Sequence, residues 1–343
     1  MKRIFVIISI VFSITLPLFA NSSLAGHYET VQGHKEYYKV PSEKDHYISP
    51  THYDYSGVAN AITKGCKSDY EKIRAIYNWI CRHIRYDTSY VIHTADECYD
   101  AKKGVCQGYC ELFYRIAEAA KVQVEIISGI SRDNKGRVQT GGHAWLFAYT
   151  RPNYGILIDP CWGAGTVDGD TFTFNKIHDF WFNVEPEWMI LRHFPNDESY
   201  QLLKQPLTRA EFDSMNYRFS LLNEYGFDVH EIFEGARAHT LSLPDVYSGG
   251  VGDFVIISAP LQKKLISGET YEMKVRVTSN RDLVLVNGRG LSVSSGAWTD
   301  EGNGVYSLQF TPGDNDEVIL GFQEVDGWKT SYSYCVEYSV EKT

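Results

Sequence analysis

Apolar positions recur at helical spacing twice in the first third of the chain. Ser68, Asp69, Tyr70 and Glu71 match a capping box, in which serine and glutamate side chains satisfy opposite backbone donors. The helix opened there carries Tyr70, Ile73, Ile76, Tyr77, Ile80 and Ile84 on one face, a stripe that predicts burial. A second helix begins at Cys106, with Tyr109, Leu112, Phe113, Ile116 and Ala120 facing inward. Upstream, residues 26–66 are rich in Tyr and His and only weakly periodic, with one short helix expected over 57–63.

Beyond the second helix the period changes from helical to alternating. Stretches 122–130, 143–150 and 156–159 are β-branched and aromatic, and turn-forming segments 133–136 and 151–155 separate them. Helices followed by an antiparallel meander predict an α+β fold rather than a doubly wound sheet. Thr208 to Glu211 form another capping box and open a helical connector. From about 249 onward the pattern is all strand, with candidates at 254–258, 271–278, 283–286, 306–310, 318–324 and 334–340. Short strands at that density predict a β-sandwich of immunoglobulin-like size.

The start of the chain is unlike the rest. Lys2 and Arg3 precede an apolar run from Ile4 to Ala20, broken only by Ser9, Ser13, Thr15 and Pro17. That is the pattern of an export signal, with cleavage expected after Ala20 or, preferably, after Ala25, where Ser23 is small at the −3 position. The run is short and proline ends it, so no retained membrane span is expected, and the protein is expected to be periplasmic, cell-surface or secreted. The organisation is then a signal segment 1–25, an N-terminal segment 26–66, a catalytic-type domain 67–205, a connector 206–248 and a β-sandwich 249–343.

Composition narrows the chemistry. Apolar residues make up 43% and charged residues 22% of 343, as in a soluble globular protein. Removing Lys2 and Arg3 takes the formal charge from −10 to −12, and without a basic cluster nucleic acid is excluded as a partner class. No His pair has the HExxH spacing and no CxxC pair occurs, so neither a metal nor another cofactor is expected. Seven cysteines in an exported chain invite disulfides, and the odd count suits one thiol kept free.

That thiol is Cys106. It sits between Gly104 and Gly108 at a helix start, where unpaired N–H groups and the helix dipole favour a thiolate. The small neighbours would let a substrate backbone approach. His143 follows in a Gly-His-Ala-Trp block and Asp159 in an Asp-Pro block. If the hairpin between them turns about Arg151, residues summing to 302 are opposed, and 143 and 159 share a face. Thiol, imidazole and carboxylate in this order compose a Cys-His-Asp triad for acyl transfer. Trp145, Trp162 and Tyr109 are candidates for an acyl-binding cleft, the Cys106 N–H for one oxyanion donor, and Gln107 or Trp79 for a second. His193 reads as structural.

These blocks resemble the signatures of the transglutaminase-like superfamily: Gly-Val-Cys106-Gln-Gly-Tyr, Gly-His143-Ala-Trp and Asp159-Pro-Cys-Trp-Gly. Downstream, Phe180 to Asn183, Glu185 to Glu187, His193 to Pro195 and Gln201 to Leu203 are similar to the kyphoscoliosis-peptidase-like branch. The resemblance spans about 67–205. It implies a papain-like transglutaminase-like core with Cys106, His143 and Asp159 as triad, acting on a protein or peptide substrate. Cys110, Leu146 and Cys161 depart from the family pattern, and at least one of Cys110 and Cys161 is expected to be bridged. The alternative reading is a silent scaffold on the same fold. In either reading the β-sandwich is expected to dock on a surface or polymer partner.

Overall fold

A computed structural model of the chain describes residues 28–31, 33–39, 47–175, 179–215, 217, 221–293 and 297–342, so the expected export segment lies outside the described residues. An N-terminal hairpin, β1 (Tyr28–Val31) and β2 (His34–Tyr38), precedes α1 (Ser56–Ile62) and α2 (Asp69–His83). Ser68 caps α2 by accepting from the Glu71 N–H at 3.2 Å, while the Glu71 carboxylate reaches back to Lys67 N–H rather than to Ser68. The predicted stripe of Ile73, Ile76, Tyr77, Ile80 and Ile84 is fully buried. Tyr70, at its margin, is half-buried and stacks on His34 with ring centroids 3.7 Å apart.

Next come β3 (Arg85–Tyr86), α3 (Ala95–Ala101), β4 (Lys103–Gly104) and α4 (Cys106–Ala119). Helix α3 is held by a complete capping box of Thr94 and Glu97. At seven residues it is too short to show a period. On α4, Tyr109, Leu112, Phe113 and Ile116 are fully buried, and Ala120 closes the helix half-exposed.

The meander forms β5 (Val124–Arg132), β6 (Val138–Arg151) and β7 (Tyr154–Ile158), followed by α5 (Pro160–Ala164) and the hairpin β8 (Gly165–Asp168) and β9 (Thr171–Phe174). Strand β10 (Phe182–Val184), helix α6 (Pro186–Arg192) and strand β11 (His193–Pro195) complete this part. The main sheet runs β1-β2-β7-β6-β5-β11, with β10 also on β7, all antiparallel. The N-terminal strands thus extend the sheet whose β6 carries His143.

The β6–β7 register differs from the expected one. Leu146 faces Ile158 and Ala148 faces Ile156, pairs that sum to 304, not 302. The reversal lies at Pro152 and Asn153, with Asn153 in the left-handed region at φ 66° and an irregularity between Tyr149 and Arg151. Asp159 therefore falls one step beyond the last pair, across from Trp145 and diagonal to His143. An even shift preserves the face. That is why a wrong turn centre still brought His143 and Asp159 together.

The connector contains α7 (Arg209–Ser214), with both halves of the Thr208–Glu211 capping box, and α8 (Val229–Arg237). All six expected C-terminal strands form, joined by short ones at Asp245–Val246, Lys264–Ile266 and Thr299–Gly302. They make a five-stranded and a four-stranded sheet. The rings of Phe254 and Phe322, one from each sheet, lie 5.7 Å apart in a shared core. Tyr225 of the connector stacks on Phe254 at 4.9 Å, so the connector packs into that core. Among the described residues, no helix is long and apolar enough to cross a membrane.

Candidate active site

The position of Cys106 is set by the loop before it. The Asp87 carboxylate, almost fully buried, accepts from Ser89 N–H at 3.2 Å, Val91 N–H at 2.9 Å and Ile92 N–H at 3.0 Å. The loop so gathered gives the Ile92 carbonyl to Val105 N–H at 2.9 Å, and β4 pairs in parallel with β3. Cys106 then starts α4 with no side chain capping the helix. Its first N–H groups are therefore not satisfied by a cap. The two glycines serve internal packing rather than substrate approach. A Cβ on Gly104 would sit 2.9 Å from Cys98 Sγ, and one on Gly108 would sit 3.1 Å from the Ile92 carbonyl.

His143 reaches the sulfur from β6. Its Nε2 donates to Asp159 Oδ2 at 2.8 Å, which leaves Nδ1 for the Cys106 sulfur that acts on the same ring. Cys106 is half-buried, His143 buried and Asp159 wholly buried. Burial alone would push the Cys106 thiol up. The hydrogen bond and charge of His143, with the backbone N–H of Ala144, outweigh it and bring the thiol below its ordinary value. Burial likewise opposes a charged His143, but the Asp159 carboxylate and the Cys106 sulfur raise the ring to about 10. Asp159 is desolvated too, yet the two histidines hold its carboxyl well below the usual range. The arrangement favours a thiolate beside an imidazolium.

Asp159 is fixed from three sides. It caps α5 by accepting from Trp162 N–H at 2.9 Å on Oδ1, and its own N–H donates to the Trp181 carbonyl at 2.9 Å. The third contact was missed by sequence reasoning: His193, read as merely structural, donates from Nε2 to Asp159 Oδ2 at 3.0 Å. Aromatic rings enclose the group. His143 lies 6.0 Å from Trp145 and 5.0 Å from Trp162, and the Arg192 guanidinium lies 4.4 Å over Trp162.

The other candidates divide. Trp162 is half-buried beside His143 and fits a cleft wall. Trp145 and Tyr109 are fully buried, so they pack the site from behind and present nothing to a substrate. Trp79 is engaged elsewhere, stacked on His83 at 4.9 Å with Tyr99 and Lys102 nearby. The Gln107 amide donates to Glu111 at 3.0 Å, one turn along its own helix. Cys110 and Cys161 are free, buried thiols, as are Cys81, Cys98 and Cys335, which overturns the expected bridge. Helix geometry explains part of this: residues four apart on a helix keep Cβ atoms about 5–6 Å apart, beyond disulfide reach.

His143, Asp159 and His193 also offer three ligand-type atoms within 4.8 Å of one another. A tetrahedral ion with bonds near 2.1 Å would spread its ligands to about 3.4 Å. The observed 2.8 and 3.0 Å are instead N–H···O hydrogen-bond distances converging on one oxygen. The donor set fits a proton-holding triad better than a metal site.

A family model described as Transglutaminase-like superfamily matches residues 56–160, a stretch that includes Cys106, His143 and Asp159. The kyphoscoliosis peptidase of Mus musculus is 33% identical over 165 residues, covering 45% of this chain and 25% of the relative. Hillarin of Drosophila melanogaster is 25% identical over 214 residues, covering 54% of this chain and 25% of the relative. The chain thus spans about a quarter of the length of these curated relatives. A solved TGase structure aligns at a TM-score of 0.26 and 15% identity, over 38% of this chain and 35% of that one, too slight a likeness to argue from.

Proposed function

Because the chain carries a domain of the transglutaminase-like superfamily, of the kyphoscoliosis-peptidase type, we propose that it is a cysteine-dependent enzyme acting on amide bonds of proteins or peptides. One observation carries the reading: His143 Nε2 is held by the Asp159 carboxylate at 2.8 Å, while the Cys106 sulfur acts on the same ring and raises it. In the mechanism, the Cys106 thiolate attacks the amide carbonyl. The resulting oxyanion lies at the uncapped start of α4, where the Cys106 N–H is a donor. His143, protonated in the resting pair, gives its proton to the departing amine as the C–N bond breaks. The thioester is then resolved by water or by an amine, with His143 taking the proton of the attacking group. Asp159 keeps the ring in the orientation and tautomer that both transfers need.

The peptidase-type similarity favours water as the second reactant. Incubation with a peptide library and a labelled primary amine should release free carboxylic acid as the main product. Predominant incorporation of the amine would reassign the enzyme as a transferase, and neither product would remove the enzymatic reading.

The signal-like pattern of residues 1–25 supports export. Expressed in a bacterial host, the protein should be recovered outside the cytoplasm with Gly26 as its first residue by N-terminal sequencing. Cytoplasmic recovery with the leader intact would refute this. In that location the C-terminal sheets would serve to dock the enzyme on a surface or polymer.

A further inference from the structure

We propose that His193 is a positioning residue: a ring that donates its Nε2 proton to Asp159 and so holds that carboxylate aimed at His143. The inference rests on the thiol–imidazole reading above and extends it one layer inward.

Three facts support it. Asp159 is fully buried, and a buried carboxylate stays charged only if N–H donors replace its lost water. It has three side-chain contacts of that kind: Trp162 N–H at 2.9 Å on Oδ1, and His143 at 2.8 Å and His193 at 3.0 Å on Oδ2. Without His193, the oxygen facing His143 has one donor and can turn.

The second fact concerns the far side of the His193 ring. Its Nδ1 is buried and finds no hydrogen-bond partner among the described residues. Around the ring stand Trp162 at 4.4 Å, Trp145 at 5.0 Å and Trp181 at 5.2 Å, none of which offers an acceptor in its ring. A second proton on Nδ1 would be a buried, unsatisfied donor.

Third, the charges nearby oppose a cationic His193. The titratable groups facing it are Asp159, His143 and Arg192, and the His143 ring is 5.1 Å away. Burial comes first among the causes, and with the charges of His143 and Arg192 it overrides Asp159 to lower His193 to about 4. The ring is thus uncharged with its one proton on Nε2. A lysine or arginine in the same place would also hold Asp159, but its charge would work against the imidazolium of His143. A neutral donor supports the carboxylate without that penalty. The backbone holds the ring in place, since His193 pairs with Ser131 of β5.

The test compares wild type with His193→Gln, which keeps an N–H donor, and His193→Phe, which keeps a ring and loses the donor. The readout is the rate of iodoacetamide alkylation at Cys106 from about pH 4 to about pH 8, with thermal midpoints measured alongside. In His193→Phe, Asp159 should take up its proton at higher pH, so the acid limb of the alkylation profile should move to higher pH, with alkylation on that limb falling about tenfold for each unit of the move. Near pH 7.5 the loss should be much smaller, and His193→Gln should retain most of the wild-type profile. If the Phe variant does not fold, His193→Asn, polar but too short to reach Asp159, replaces it with the same expectation. Equal losses in donor and non-donor variants, or a profile that keeps its shape in both, would overturn the proposal. A wild-type Cys106 that alkylates only above about pH 8 would instead sink the parent reading, and this one with it.

Discussion

Changing Cys106 to alanine removes amide turnover, by a factor on the order of 10⁴ or more, and leaves the protein folded. Nothing else at the site can replace the sulfur as nucleophile. The four other thiols of this part that lie in the core, Cys81, Cys98, Cys110 and Cys161, are buried, and burial is the leading cause that pushes each of them up rather than down. A loss of that size matches removal of a nucleophile from a group that acts as a unit. The fold should hardly notice, because Cys106 is only half-buried and the change shortens a side chain by one atom. A stability change within about 1 kcal/mol is expected. Turnover assays on a peptide pool, with denaturant midpoints for both proteins, check the two halves. Retained turnover in the alanine variant would mean that the chemistry lies elsewhere.

Asp159→Ala has the opposite signature: it damages activity and stability together. The substitution orphans the buried Nε2–H of His143, the buried Nε2–H of His193 and the Trp162 N–H at the start of α5. Removing one partner from a buried, hydrogen-bonded charge set costs about 3–5 kcal/mol. Turnover should fall roughly 10²- to 10⁴-fold, since His143 loses its orientation and tautomer control.

The pH dependence of the stability loss follows from the two shifts. Asp159 is held below its unfolded value, so its contribution is present above about pH 4 and disappears as pH falls through the folded value. His143 is raised to about 10, so its contribution is complete below the ordinary histidine value and fades as pH rises toward 10. The gap between wild type and Asp159→Ala should therefore be widest between about pH 4 and about pH 6.5. Denaturant midpoints measured from mildly acidic to alkaline pH give this directly. A gap that does not vary with pH would show that the pair carries no linked charge.

Much of this was legible in the chain, for identifiable reasons. The helix stripes at Ile73 to Ile84 and Tyr109 to Ile116 are long enough to display their period, and burial agrees with both. The pairing of His143 with Asp159 survived a two-residue error in register because strand faces alternate every residue. Trp79, a candidate oxyanion donor, lies off the buried stripe of its own helix. A residue next to Ile80 is turned about 100° from that buried stripe, toward α3 and Tyr99. Strands β1 and β2 escaped notice because an edge hairpin needs little apolar alternation, and β2 joins β7 through only two pairs. His193 had no local signal beyond its His-Phe-Pro setting. Its partner lies 34 residues away, and only the folding of β11 against β5 brings the two together.

The account turns on the ionisation state of one sulfur, and titrating it is the most direct test. Ultraviolet thiolate absorbance, recorded as the difference between wild type and Cys106→Ala across pH, reports that sulfur alone. An unperturbed thiol with a pKa near 8.5 would be about 0.3% ionised at about pH 6. The thiolate–imidazolium pair predicts that most of the Cys106 signal is already present there. A signal that appears only above about pH 8 would contradict the account.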